Sequence, residues 1–191
     1  MGLLVHLRGC LALLLMAGLV AGGDGAAPSA GYSEEEIKGA MLYNFTRFVD
    51  WPAGALGGEG APVVIGVLGA DSFIPELATV LRGKAIYGHP VAVRHIERIA
   101  GARNCAVLFV GAAGPKEIVR VLQSTAGAHV LTIGDSLEFA RLGGMIAFIR
   151  DGNRIRFEVN LDAAERAGLG MSSKMLHLAT VYRAGPARAG N

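Results

Sequence analysis

Residues 63–81 read VVIGVLGADSFIPELATVL, and this stretch contains one complete unit of the fold. Its first six residues, Val63–Leu68, are continuously apolar, which is typical of a strand that is covered on both faces of a sheet. Gly69-Ala70-Asp71-Ser72 then turns the chain, and Phe73–Leu81 has the apolar spacing of a short helix. A strand that is followed directly by a helix indicates an α/β fold with parallel strands.

The same alternation extends toward both ends of the chain. Toward the amino end, Ser33 and Glu36 form a capping box for a helix that we expect to reach about Val49, where Trp51-Pro52 stops it. Toward the carboxyl end, Asp151-Gly152-Asn153 predicts the turn of a hairpin. The other predicted strands are Val91–Ile96, Cys105–Val110, Val130–Ile133, Met145–Arg150 and Arg154–Asn160, and the other predicted helices are Pro115–Ser124, a short piece ending at Leu142, Asp162–Ala167 and Ser172–Tyr182. This order predicts an α/β, three-layer helix-sheet-helix sandwich, with a mainly parallel sheet and a C-terminal hairpin.

The first 23 residues have the pattern of a secretory signal peptide. Arg8 supplies a positive charge, and residues 10–21 read CLALLLMAGLVA, an uncharged run that is shorter than the roughly 20 residues of a membrane span. Small residues follow, so we expect cleavage near residue 23 and at the latest near residue 30. The alternatives are an uncleaved anchor and a buried apolar helix. Export leaves one α/β domain at residues 32–184 and a loose tail at 185–191.

The charge and cysteine content of the chain argue against a nucleic-acid-binding protein and against a domain with internal disulfides. The formal net charge is only +2 and the charges are interspersed, so the sequence has no electrostatic footprint for nucleic acid. Cys10 would leave with the signal peptide, so Cys105 would remain as the one thiol and no intramolecular disulfide could form. We interpret Cys105 as a buried structural thiol, with redox sensing or intermolecular pairing as the alternatives.

Two Gly-Asx-Ser turns follow predicted parallel strands, where α/β folds place their ligands. The polar row Arg156, Glu158 and Asn160 is a further candidate, because these side chains alternate with apolar ones along a predicted strand. The alternatives are that the aspartates cap the following helices and that the polar row is a solvated face. The candidate ligand-binding residues are Gly69, Asp71, Ser72, Gly134, Asp135, Ser136, Glu158 and Asn160.

Other candidate chemistry is sparse. The histidines are not arranged in a recognised metal-ligand motif, and no serine lies in a nucleophile elbow, so we predict no catalytic residue, metal ligand or cofactor. Aromatic residues concentrate at the end of the first helix, at Phe45, Phe48 and Trp51, either as core or as anchors of an interface. On the residues alone, we expect a binding protein and not an enzyme.

Several segments, in this order and spacing, resemble the YfiR family of periplasmic proteins. The resemblance covers about Tyr32 to Tyr182. Its segments are KGAMLYNFTRFVDWP at 38–52, GVLGADSF at 66–73, VLTIGDS at 130–136, GGMI at 143–146, RFEVNLDAA at 156–164, Gly168-Leu169 and Ser172-Ser173.

The resemblance implies a periplasmic regulator with a helix-sheet-helix fold. The best-known role in the family is to bind the periplasmic part of an inner-membrane diguanylate cyclase and hold it inactive, which lowers cyclic-di-GMP and biofilm formation. Family members with that role can carry additional cysteines in disulfides, so disulfide control within one chain does not transfer to a chain with Cys105 alone.

We therefore expect a periplasmic regulatory protein that represses an inner-membrane signalling enzyme, a diguanylate cyclase. The expected partner is the periplasmic segment of that cyclase or of a sensor kinase, with homodimerisation left open. The candidate partner-binding residues are Phe45, Phe48, Trp51, Gly143, Gly144, Met145 and Ile146. The alternative is a periplasmic small-molecule sensor that acts with a receptor or sensor kinase.

Overall fold

The computed structural model describes residues 31–183. The predicted signal peptide and the predicted tail lie outside the described residues. The helices are α1 (Glu34–Arg47), α2 (Phe73–Leu81), α3 (Pro115–Thr125), α4 (Leu161–Arg166) and α5 (Ser173–Leu176), with a 3₁₀ helix at Ile99–Asn104. The strands are β1 (Val49–Asp50), β2 (Val63–Leu68), β3 (Ala85–Ile86), β4 (His89–His95), β5 (Val107–Val110), β6 (Leu131–Gly134), β7 (Ile146–Asp151), β8 (Arg154–Asn160), β9 (Gly170–Met171) and β10 (Thr180–Tyr182).

Eight strands form the central sheet in the order β10-β8-β7-β6-β5-β2-β4-β3. Neighbouring strands run parallel except at the hairpins β7–β8 and β3–β4. The prediction of a mainly parallel sheet with a C-terminal hairpin is therefore confirmed. The remaining two strands, β1 and β9, form a separate antiparallel pair in which Val49 lies opposite Met171.

Both faces of the central sheet are buried, as the four residues of β5 illustrate. Val107 and Phe109 belong to an apolar cluster that includes side chains of α1 and α2. Leu108 and Val110 belong to a second cluster that includes side chains of α3 and the 3₁₀ helix. Successive residues of a strand point to opposite faces, so helices cover the sheet on both sides. This arrangement confirms the prediction of a three-layer helix-sheet-helix sandwich.

The predicted capping box starts α1. The Ser33 hydroxyl accepts a hydrogen bond from the Glu36 N–H at 3.0 Å, and the Glu36 carboxylate accepts one from the Ser33 N–H at 2.7 Å. The helix ends at Arg47 and not at about Val49, because Val49 pairs with β9. The position of this helix end matters for the site, since Phe48 and Trp51 directly follow it.

Two predicted helices are wrong. The segment before Leu142 forms consecutive turns, because Phe139 folds back to bury its ring against the end of β6. The predicted helix Ser172–Tyr182 holds only the four residues of α5, and its last part is strand β10, which pairs in parallel with β8. Thr, Val and Tyr are good strand formers, and β8 offers them backbone partners that local sequence does not reveal.

Candidate functional site

The two strand-end turns lie at the same edge of the sheet but have different partners. The first turn follows β2 and the second follows β6, with β5 between the two strands. The Asp71 carboxylate lies 3.0 Å from Nε2 of His95 at the end of β4. The Asp135 carboxylate lies 2.7 Å from Nζ of Lys38 on α1. The turns therefore face different neighbours, and a cavity that is lined by Asp135 does not include Asp71.

The first turn is open to solvent. Gly69, Asp71 and Ser72 are all exposed. Ser72 precedes α2 but makes no side-chain cap to it, and the Asp71 side chain turns to His95, so the predicted alternative of an aspartate cap does not describe this turn. The Gly69 carbonyl accepts a hydrogen bond from the Ala112 N–H at 3.1 Å, which joins the ends of β2 and β5.

The second turn belongs to a charged cluster around Lys38. Lys38 is only 8% exposed, and its ammonium lies 2.7 Å from a carboxylate oxygen of Glu34 and 2.7 Å from one of Asp135. Arg150 contacts the other oxygen of Glu34. These four side chains line a cavity of about 280 Å³ together with Phe148, whose ring centre lies 6.0 Å from the ammonium. Lys38 was not among the predicted site residues, because its partner Asp135 is 97 residues away in the chain.

Gly134 and Gly144 serve the packing of one ring. Phe139 is fully buried, and a Cβ atom at Gly134 or Gly144 would lie 2.2 Å or 2.1 Å from its ring atoms. Ser136 holds the same turn, since its hydroxyl accepts a hydrogen bond from the Glu138 N–H at 3.3 Å. The structure thus gives these predicted ligand and partner residues a structural role, because any larger side chain would displace Phe139.

The polar row on β8 is exposed at one end and buried at the other. Arg156 is exposed and donates to the Asp151 carboxylate at 2.6 Å, whereas Glu158 and Asn160 are buried where a ligand or solvent was expected. Asn160 is 2% exposed, donates to the Ala140 carbonyl at 2.7 Å and accepts from the Ala163 N–H at 3.0 Å, which caps α4. Glu158 is also buried, and β10 pairs beside it at Thr180. The Asn160 side chain is covered by the Ala140 carbonyl and the start of α4, and local sequence does not reveal that these segments meet.

The predicted partner-binding residues divide into buried and accessible side chains. Phe45 lies in the core, with its ring centre 4.7 Å from that of Phe157, and Met145 and Ile146 are also buried. These three side chains are therefore unavailable to a partner in this structure. Phe48 and Trp51 are partly exposed, and Gly143 borders a cleft of about 370 Å³ between α3 and α4 that Arg166 also lines.

A second cavity of about 350 Å³ lies beside Trp51, where the loop before β2 meets the start of β4. Its lining includes Asp50, Trp51, Pro52, Leu56, Tyr87 and His89, and we call it the Trp51 cavity. Tyr87 is the one non-glycine residue with a positive φ, 50°, in the described range. Its hydroxyl reaches the carbonyl oxygens of Arg47 at 2.8 Å and Val49 at 3.0 Å, just after α1. Tyr87 was not among the predicted site residues.

The titratable groups do not form a metal centre. Within residues 31–183 there is no group of three or more His, Cys, Asp and Glu side chains that could hold a metal ion. Cys105 is 5% exposed, and its sulfur lies against the Cα of Gly66, where a Cβ atom would come within 2.5 Å. Burial raises the pKa of the Cys105 thiol, although the Arg94 guanidinium and the Gly66 backbone oppose this shift. A buried thiol with a raised pKa is a poor nucleophile.

The fold and the clefts place this protein in the class of three-layer α/β domains, with small clefts around a mainly parallel sheet. The chain belongs to the YfiR/HmsC-like family, DUF4154, whose model matches residues 35–180. This match confirms the resemblance that the sequence segments indicated. The family is regulatory and not catalytic, and membership is consistent with a periplasmic regulator that interacts with a membrane signalling protein. No helix within residues 31–183 combines the length and the apolarity that a bilayer crossing requires.

Two solved structures share the fold. A conserved domain protein from Vibrio cholerae O1 biovar El Tor strain N16961 aligns with a TM-score of 0.55 and 13% identity, over 80% of this chain and 60% of that one. The ABC domain from Streptococcus pneumoniae, in complex with L-Trp, aligns with a TM-score of 0.50 and 11% identity, over 77% of this chain and 59% of that one. The chain thus spans about 60% of the length of these proteins, and the likeness is one of fold alone.

Proposed function

We propose that this protein is a periplasmic regulator that binds the outward-facing segment of an inner-membrane diguanylate cyclase and holds the cyclase inactive. The observation that carries the proposal is the family match over residues 35–180, which includes every described helix apart from Glu34 of α1 and every strand before β10. The signal-peptide pattern in the first 23 residues supports it, because an exported protein can reach only a partner that has a periplasmic segment.

Repression of this kind needs only a difference in affinity between two states of the cyclase. The regulator binds the inactive state more tightly and shifts the population toward it. A shift from 1:99 to 99:1 requires a preference of about 10⁴-fold for the inactive state. No catalytic group is needed for that effect, which agrees with a regulatory and not a catalytic family.

For the partner surface we propose the partly exposed aromatic side chains after α1, Phe48 and Trp51. Both pack against the core on one side, so their positions are fixed before the partner binds. The Trp51 indole is fixed further, since its N–H donates to the Thr46 carbonyl at 3.0 Å. Rigid, half-buried aromatic residues are the usual anchors of protein interfaces, because little conformational entropy is lost when they are covered.

A co-purification experiment tests this surface. Phe48→Ala truncates one anchor and keeps the backbone N–H that caps α1, so the variant should fold and retain less cyclase from detergent-solubilised membranes. Leu178→Ala is the matched control, because Leu178 is a large apolar side chain that is 77% exposed in the turn before β10. Equal retention by Phe48→Ala and the unmodified protein would place the partner elsewhere, and a loss confined to Leu178→Ala would place it near β10.

The second candidate function is a periplasmic small-molecule sensor that acts with a receptor or sensor kinase. The cavity of about 280 Å³ beside Lys38 and Asp135 supports it, since a ligand there would compete for a buried cation. A thermal-shift screen against metabolites tests it, with Asp135→Ala and Asp71→Ala as the two strand-end variants. A ligand shift that Asp135→Ala removes and Asp71→Ala keeps would support this cavity, and the absence of any shift would count against the sensor.

A further inference from the structure

We propose that the Trp51 cavity is a binding site for a small organic ammonium ion. The proposal goes beyond the regulation of a cyclase and does not depend on it. It rests on four observations about this cavity: its aromatic walls are held in place, its charge is negative, one of its residues has a strained backbone, and its size suits a small molecule.

The aromatic walls are held by hydrogen bonds at the edges of their rings. The Trp51 N–H donates to the Thr46 carbonyl at 3.0 Å. The Tyr87 hydroxyl lies 2.8 Å and 3.0 Å from two backbone carbonyls that follow or end α1, although Tyr87 itself is 58% exposed. Because both polar atoms are occupied by the protein, a ligand in the cavity meets the carbon atoms of the two rings. A π face attracts cations.

The charge of the lining favours a cation. Among the described residues that line the cavity, Asp50 is the one with a formal charge when His89 is neutral. Asp50 is an exposed residue of β1 and lies opposite Gly170 of β9. The nearby guanidinium of Arg47 lies over the Tyr43 ring, 5.5 Å from its centre, and Arg47 is not part of the lining.

His89 contacts the backbone through one ring nitrogen and leaves the other ring nitrogen for a ligand. Its Nδ1 lies 2.9 Å from the Ala61 carbonyl oxygen. A carbonyl oxygen only accepts hydrogen bonds, so Nδ1 carries the proton in this contact. In the neutral ring the other nitrogen, Nε2, is then an acceptor, which suits a ligand that carries positive charge.

The backbone conformation of Tyr87 and the volume of the Trp51 cavity also favour a ligand site. Tyr87 adopts a φ of 50°, a conformation that costs energy for a bulky residue and is concentrated at ligand and active sites. The cavity volume of about 350 Å³ lies at the lower end of the range of small-molecule sites, roughly 300–1,000 Å³. A cavity of this volume can hold an ion of the size of choline. We assign the site to a free small molecule of that kind.

Titration with choline tests the proposal directly on the purified protein. Trp51 is the one tryptophan of the chain, so tryptophan fluorescence and the indole N–H signal in proton–nitrogen NMR both report on this cavity alone. We expect a saturable change in the millimolar range with choline. The uncharged analogue of choline, 3,3-dimethylbutan-1-ol, has carbon in place of the quaternary nitrogen. It should bind at least about tenfold more weakly than choline, because it lacks the cation–π and carboxylate attraction.

Two variants separate the site from general surface charge. Asp50→Asn should weaken choline binding about three- to tenfold. Glu97→Gln, which removes an exposed carboxylate in the segment after β4, should bind as the unmodified protein does. Three results would overturn the proposal: no saturable change in either signal, equal binding of choline and its uncharged analogue, or equal weakening in both variants. The cyclase partner is absent from this experiment, so none of these results bears on the proposed repression.

Discussion

Phe139 occupies a slot with glycine on both sides, and the size of this slot allows a test at a single residue. Gly144→Ala places a methyl group 2.1 Å from a ring carbon of Phe139, so the ring or the backbone must move. We expect a loss of about 1–3 kcal/mol in the free energy of unfolding. Phe139→Ala should cost about 3–5 kcal/mol, because it empties a fully buried site. Urea unfolding measures both changes.

Gly58→Ala is the control for the glycine substitution. A Cβ atom at Gly58 meets nothing within 4 Å and the residue has no positive φ, so its unfolding free energy should hardly change. Phe139→Leu combined with Gly144→Ala should cost less than the sum of the two single changes, because the two positions share one space. Strictly additive losses in unfolding free energy, or a Gly144→Ala variant as stable as Gly58→Ala, would contradict the tight packing of glycine around Phe139.

The buried Cys105 thiol predicts a dependence of stability on alkaline pH. Burial raises the pKa of this thiol above its value in the unfolded chain, with Arg94 and the Gly66 backbone opposing the shift. The contribution of Cys105 to stability is therefore fully present below the unfolded pKa and is lost as the pH rises through the folded pKa. Urea unfolding at increasing pH should show a steeper decline for the unmodified protein than for Cys105→Ala.

The slope of the unfolding free energy against pH is compared between the unmodified protein and Cys105→Ala. The contributions of the other groups that titrate at alkaline pH cancel, because these groups are the same in both proteins. The comparison of slopes also removes the constant cost of the small cavity that alanine leaves. Identical slopes would show that the thiolate is equally stable in the folded and unfolded chains, and would contradict the burial of Cys105 at 5% exposure.

Helix α1 is joined to the loop after β6 by the ion pair between Lys38 and Asp135. Lys38→Met removes the cation and leaves two carboxylates close together, Glu34 and Asp135, so we expect a loss of about 1–2 kcal/mol. The expected loss in the free energy of unfolding is small for a buried cation, because the Asp135 side chain is 37% exposed and solvent screens its charge. A double-mutant cycle with Asp135→Asn should give a coupling of at least about 0.5 kcal/mol.

Lys116→Met is the matched control for this cycle, since Lys116 is exposed in the first turn of α3. It should show no coupling to Asp135→Asn. A coupling near zero for Lys38, or one equal to that of Lys116, would mean that the pair observed at 2.7 Å does not stabilise the contact between α1 and the sheet.

At the scale of elements, strong local patterns were predictable and pairing partners were not. The run Val63–Leu68 and the capping box at Ser33 formed as expected, because apolarity and side-chain caps act within a few residues. Strand β10 was predicted as helix, since its pairing with β8 joins residues about 22 apart along the chain. The expectation that Asn160 faces a ligand or solvent was also wrong, because the Ala140 carbonyl that covers its amide lies 20 residues away in the chain.

The candidate sites follow the same rule. The turns that contain Asp71 and Asp135 were predictable from the strands before them, but their partners His95 and Lys38 were not, because each contact joins distant segments. Tyr87 gave no signal at all in the sequence. Its positive φ and the contacts of its hydroxyl with the end of α1 depend on how α1 lies against β3 and β4.

For the whole molecule, we propose that a leader in residues 1–23 directs the three-layer domain to the periplasm, where the domain meets its partner. The family match extends over residues 35–180, so nearly all of the described chain is one regulatory domain. The net charge of +2 gives little long-range steering, so we expect partner recognition to depend on contact surfaces such as Phe48 and Trp51.

The most direct test of repression is the cyclic-di-GMP level in the host bacterium after deletion of the gene. We predict that deletion raises the level and that the full chain, expressed from a plasmid, restores it. The same chain without residues 1–23 should fail to restore it, because it would remain on the wrong side of the inner membrane. An unchanged level after deletion, or equal restoration by the chain without residues 1–23, would contradict the proposed repression of a cyclase from the periplasm.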